Sequence, residues 1–171
     1  MAFDGFVISN LVYELNNTIL NAKISKIAQP ETDELLFTLK GSNGQYRLAM
    51  SASASLPFLY LTGTNKPSPL TAPNFCMLLR KHLVGARITG ISQPDFERML
   101  VLDLDGRDEL GTPVKKQLIV EMLGRQSNVI LVSADGHIID CMRRVDSSMS
   151  ETRQVQPGMF YTFLVIRKFS L

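Results

Sequence analysis

Apolar residues recur at helical spacing near the start of the chain, where Phe6, Leu11, Leu15 and Ile19 fall on one stripe with Val12 and Leu20 beside them. That spacing predicts an amphipathic helix, with Ser9 placed to accept from the free amides of its first turn. From Lys23 the period drops to two. The runs KISKIAQP, ELLFTLKG, QYRLAMSAS and PFLYLTG are separated by Pro, Gly, Asn or Asp and predict a meander of short antiparallel strands. Ser42-Asn43-Gly44 is the clearest of the turns. A proline-rich loop runs from Lys66 to Pro73. Phe75, Leu78, Leu79 and Leu83 then form a second helical stripe, with Pro73 at a tolerated first-turn position and Gly85 at its end. Strand periodicity returns in RITGIS, RMLVLDLD, KQLIVEML and SNVILVSADGHIIDCMRR, the last carrying Asp135-Gly136 between two apolar runs as a hairpin signal.

The order is therefore helix, strands, helix, strands. The turns are too short for crossover helices, which predicts an α+β fold built on antiparallel strands in two sheets or one strongly curled sheet. No internal repeat or dividing linker is visible.

Composition narrows the class. The chain has 171 residues, 45% of them hydrophobic, with 18 Lys+Arg against 16 Asp+Glu. This is one domain's worth of chain, too apolar for disorder and without the long apolar run of a membrane span, so no membrane insertion is expected. Cys76 and Cys141 are the only cysteines, which predicts buried small hydrophobes rather than a disulfide framework. Residues 1–22 contain no Lys or Arg and carry Asp4, Glu14 and four Asn, unlike a secretory signal; a cytoplasmic location is expected.

Catalytic constellations are missing from the sequence. It contains no phosphate loop, no dinucleotide fingerprint and no His-Glu-x-x-His, and two histidines, His82 and His137, do not make a multi-histidine metal site. The acidic group Asp103, Asp105, Asp108 and Glu109 lacks the calcium-loop pattern and is expected to be a solvated loop. No cofactor and no metal are expected. Basic residues, by contrast, gather. Arg80, Lys81, His82 and Arg87 lie around the end of the second helix, Arg98 follows, Arg125 sits in a turn, and Arg143 and Arg144 close the hairpin. Together they are expected to form one phosphate-facing surface, because neutralising a nucleic-acid backbone requires several cations within reach of one polyanion. Two segments add to this set. In Ile91 to Arg98, Glu97 is placed either to orient the Arg98 guanidinium or to address a ligand group of its own. Gly124-Arg125-Gln126-Ser127-Asn128 links two strands with residues suited to tight turns and to hydrogen bonding, Ser127 and Asn128 among them.

The ordered set Phe3-Asp4-Gly5, Leu56 to Leu61, Phe75 to Leu83, Ile91 to Arg98, Gly124 to Asn128 and Val155-Gln156-Pro157-Gly158 resembles the N-terminal domain of the NFACT family, which groups the FbpA, RqcH and NEMF proteins. The resemblance covers residues 1–161; residues 162–171 look foreign to it and are expected to be a non-native tail. It implies a fold similar to the N-terminal domain of formamidopyrimidine-DNA glycosylases, an antiparallel β-sandwich flanked by helices. It does not imply their chemistry, because this chain begins Ala2-Phe3 and lacks the proline nucleophile and adjacent glutamate, so no enzymatic activity is expected.

What the resemblance implies instead is an RNA-binding domain of a ribosome quality control factor. Such factors engage tRNA and obstructed large ribosomal subunits for C-terminal alanine tailing of the stalled chain. An Asp-Arg pair of the family corresponds to Glu97 and Arg98, with one methylene more in the acid. The competing reading is a surface-displayed adhesin domain that binds fibronectin or fibrinogen.

Overall fold

The computed structural model describes residues 4–150 and 152–162. Ala2, Phe3 and residues 163–171, on which the expected missing nucleophile and most of the foreign tail fall, lie outside the described residues.

Helix α1 (Gly5–Asn16) forms at the first apolar stripe, but its cap is Asp4, whose Oδ1 accepts from the Val7 amide at 2.9 Å. Ser9, expected to do this, lies one turn inside the helix. Ile8, Leu11 and Leu15 point into the core, whereas Phe6 is 71% exposed and Leu20 37%. The meander follows as β1 (Lys23–Glu31), β2 (Glu34–Gly41), β3 (Gly44–Ser51) and β4 (Phe58–Thr62). Helix α2 (Asn74–Leu83) comes next, with Pro73 as its extended N-cap residue. The second run of strands is β5 (Arg87–Ser92), β6 (Met99–Arg107), β7 (Pro113–Glu121), β8 (Asn128–Ser133) and β9 (Ile138–Cys141).

The nine strands of the described residues belong to one antiparallel sheet, ordered β4-β3-β2-β1-β5-β6-β7-β8-β9. The α+β class holds, with one continuous hydrogen-bonded sheet: β1 joins β5 at the register pair Lys23↔Arg87, where the Ile24 amide donates to the Ala86 carbonyl at 2.8 Å and the Ile88 amide to the Ala22 carbonyl at 2.9 Å. This narrow join divides the sheet into halves whose inner faces feed one core. Ile24, Leu35, Phe37, Leu39 and Leu48 enter it from one half, Leu100, Leu102, Leu118, Val120 and Leu131 from the other, and Leu15 and Leu79 from the helices.

Strand alternation gives β6 to β9 a second buried face. Met99, Val101, Ile119, Ile130 and Val132 have the opposite parity and pack with Val155 in a smaller cluster, against which Val145 and Tyr161 lie. The chain after β9 thus returns as a strap over the outer face. It is fastened by the bridges Val145↔Val155 and His137↔Phe160, and burying this apolar surface holds it down. Cys76 and Cys141 are free and buried, and burial pushes the Cys141 thiol up to about 12. No helix among the described residues is long and apolar enough to cross a membrane.

Candidate nucleic-acid interface

The register of β5 to β9 decides which candidate residues meet. Ser92 pairs with Val101, Met99 with Glu121, and Glu121 with Asn128. The loop before β6, the turn before β8 and the residues after β9 therefore emerge at one end of the half-sheet. That end carries Glu97, Arg98, Arg125, Arg143 and Arg144.

The loop bearing Glu97 and Arg98 is a single 3₁₀ turn, Pro94–Phe96, closed by the Glu97 amide donating to the Pro94 carbonyl at 2.9 Å. Asp95 occupies the left-handed region at φ 45°, a conformation uncommon outside glycine and favoured by short polar side chains. The Gln93 Nε2 ties the loop down, donating to the Glu97 carbonyl at 2.8 Å and to the Gly5 carbonyl at 3.0 Å. The Met122 amide donates to the Arg98 carbonyl at 2.9 Å, which sets Arg98 beside the next turn. Both Glu97 and Arg98 are partly exposed. Among the described residues neither side chain has a hydrogen bond or ion pair, so the carboxylate does not orient its neighbour's guanidinium.

The second turn, Gly124–Gln126, is a further 3₁₀ element that starts at φ +62° on Gly124. Ser127 and Asn128 do not reach solvent: they are 0% and 2% exposed. Ser127 Oγ accepts from the Leu123 amide at 2.9 Å. Asn128 Oδ1 accepts from the Val129 and Arg143 amides at 2.9 Å, and its Nδ2 donates to the Arg143 carbonyl at 2.8 Å. Their side-chain polar groups shape the turn, although Asn128 also lines the cavity beside it. Arg125 is exposed at its tip, and the Arg143 guanidinium donates to the Arg125 carbonyl. Arg144 is held by Asp140, with Nε and a terminal nitrogen each 3.3 Å from the carboxylate, and this hydrogen-bonded carboxylate raises the arginine's pKa.

Beside this turn lies a cavity of about 230 Å³ lined by Arg125, Gln126, Arg143, Ser150 and Thr152, with Glu121 and Arg153 reaching it from below the strap. Glu121 and Arg153 form a two-pronged ion pair at 3.0 and 2.6 Å, with side chains 1% and 10% exposed. The Tyr161 hydroxyl donates to the same carboxylate at 2.5 Å, and the Arg153 guanidinium lies 5.3 Å from the centre of its ring. Burial and the Glu121 charge push the Tyr161 phenol above its usual range. Sequence reading missed this group. The signal was a lone acid in QLIVEML at the parity of Ile119, which an exposed outer face would have left unremarkable.

Arg80, Lys81 and Arg87 do not join the cluster, a correction to the single basic face. Arg80 Nε donates to the Ile27 carbonyl at 2.8 Å on β1. Lys81 stands 3.8 Å from Glu109, and Arg87 pairs in register with Asp105, all toward the other end of β6. The acidic group is also dispersed. Asp103 accepts from Gln117, Asp105 from Lys115, and Asp108 caps the amides of Leu110 and Thr112. Among the described residues no group of three His, Cys, Asp or Glu is arranged to hold a metal.

Among the described residues, a nine-stranded antiparallel sheet with two α-helices, presenting arginines on turns at one end, defines a domain of the α+β class. The chain belongs to the NFACT family, matching its N-terminal and middle domains over residues 4–164. It is 35% identical over 162 residues to the Rqc2 homolog RqcH of Bacillus subtilis (strain 168), covering 94% of this chain and 28% of that protein. It is 29% identical over 146 residues to the ribosome quality control complex subunit 2 of Saccharomyces cerevisiae, covering 85% of this chain and 13% of that protein. Among solved structures, the N-terminal domain of the fibronectin-binding protein PavA from Streptococcus pneumoniae superposes with a TM-score of 0.91 at 32% identity, covering 99% of this chain and 63% of that one. The chain spans less than a third of the length of the curated relatives it matches.

Proposed function

We propose that this chain is the RNA-engaging N-terminal part of a ribosome quality control factor. In this reading it works in the cytoplasm, where its arginine-bearing end contacts tRNA, and the intact protein engages obstructed large ribosomal subunits for alanine tailing. The observation that carries the reading is the convergence of Arg98, Arg125, Arg143 and Arg144 on one sheet end. Guanidinium groups suit phosphates and base edges. In this reading recognition proceeds through backbone contact and shape. The names of the bacterial and yeast relatives support the ribosomal setting. The domain performs no glycosylase or lyase chemistry; recovery of a borohydride-reduced covalent DNA adduct would contradict this.

The test is Arg98→Ala in the intact protein. Loss of tRNA engagement and of alanine tailing with the fold retained is the expected result, and unchanged tailing would sink the proposal. PavA's name supports a second reading, in which the domain binds fibronectin. Saturable fibronectin binding at physiological salt, with no preference for tRNA, would favour it.

A further inference from the structure

The far end of the sheet, beside the last turn of α2 and the loop after β6, holds an open groove of about 510 Å³ that the arginine cluster does not share. Lys81, His82, Arg107 and Lys116 line it, together with Asp108 and Glu109. Lys116 has the parity of Leu118 and Val120 and pairs with Leu104. Its stem therefore follows the core face of β7, and its ammonium ends that face where the hydrophobic residues stop. His82 comes to the same place from α2. Both side chains are partly buried, and among the described residues neither has a hydrogen bond or ion pair.

The two acids of the groove answer this charge only in part: Asp108 favours the Lys116 ammonium without forming an ion pair with it. Asp108 Oδ1 is occupied by the Leu110 and Thr112 amides, both at 2.9 Å. Glu109 is 85% exposed and stands 3.8 Å from Lys81, a solvated pair of little strength. Arg107 spends one nitrogen on the Gly111 carbonyl at 2.8 Å and keeps the rest of its guanidinium. Lys116 thus faces the groove half-buried and without an ion pair, beside an imidazole that a proton would charge and near the Asp108 carboxylate, an arrangement that a bound anion completes.

We propose that this groove is a second phosphate-binding site, which takes a phosphate of an RNA backbone separate from the one met at the Arg98 end. Eight residue steps of β6 at about 3.3 Å each put the two ends ~26 Å apart, too far for adjacent phosphates of one strand and suited to bridging two RNA elements. The identity of the polyanion rests on the function proposed above; the anion site itself does not. Burial holds both the Lys116 ammonium and the His82 imidazole toward their neutral forms, and the Lys116 and Lys81 charges push His82 the same way, while Asp108 acts in the opposite sense on Lys116. An anion in the groove favours the charged forms. Binding at this end is therefore coupled to proton uptake and strengthens as the pH falls through the histidine range.

The experiment is a salt titration of tRNA binding by this chain, comparing the unmodified protein with Lys116→Gln, with Arg98→Ala and with the double variant, alongside an NMR titration of the His82 imidazole by tRNA and by inorganic phosphate. Expected are a fall of about 0.9 in the slope of log K against log salt for Lys116→Gln, a further independent fall for Arg98→Ala, and a His82 shift with tRNA. An unchanged slope in Lys116→Gln while Arg98→Ala weakens binding overturns the second site and leaves the first standing. No tRNA binding by the unmodified protein overturns the proposed function instead. A His82 response to inorganic phosphate without any effect of Lys116→Gln on the tRNA slope overturns RNA as the source of the anion.

Discussion

Single residues divide here into those that hold turns and those that turns present. Ser127 and Asn128 read in the sequence as candidate contacts because polar residues in a short turn look the same whether they face water or the backbone; only the register of β8 shows that they are buried. Arg98 and Arg125 were legible as loop and turn cations; Arg125 is exposed and Arg98 partly so. The Glu121, Arg153 and Tyr161 group was illegible, since Arg153 reaches Glu121 across 32 positions and only the strap makes that face an interior. Arg153→Met should destabilise the fold by about 3–5 kcal/mol in chemical denaturation, because it leaves a buried carboxylate without its cation. Tyr161 sets a pH dependence. Its folded-state pKa is raised above the ordinary 10.0, so its contribution is whole below pH 10 and drains away as pH climbs toward the folded value. Stability should thus decline from about pH 10 upward, and Tyr161→Phe should flatten that decline.

At the level of elements, periodicity located both helices and every strand of the meander, since alternation and three-to-four spacing are local properties. Cap identity was not local in the same way. Asp4 and Ser9 are both good cap residues, and Asp4 wins because the chain turns helical at Gly5, which leaves Ser9 inside. Asp4→Ala should cost about 1 kcal/mol of stability, whereas Ser9→Ala should cost next to nothing. The turn before β8 depends on Gly124 at φ +62°. Gly124→Ala should strain it by about 1 kcal/mol and weaken RNA binding without touching a cation, which separates turn geometry from charge.

For the whole molecule, the element order specified antiparallel α+β but not how the halves join. The join at Lys23↔Arg87, flanked by the Ile24 amide on the Ala86 carbonyl and the Ile88 amide on the Ala22 carbonyl, selects one sheet from the two expected alternatives, and no periodicity announces so short a pairing. The same long-range register sorts the basic residues to two ends, which chain order had placed on one face. A near-neutral total of +2 therefore conceals local fields, with arginines at one end and a lysine-histidine groove among acids at the other. The most direct measurement is co-sedimentation of the intact protein with large ribosomal subunits and tRNA from cells, compared with its Arg98→Ala variant. The subunits should still bring down the variant but with the tRNA depleted at least several-fold; equal tRNA recovery with both proteins would rule out tRNA engagement through Arg98.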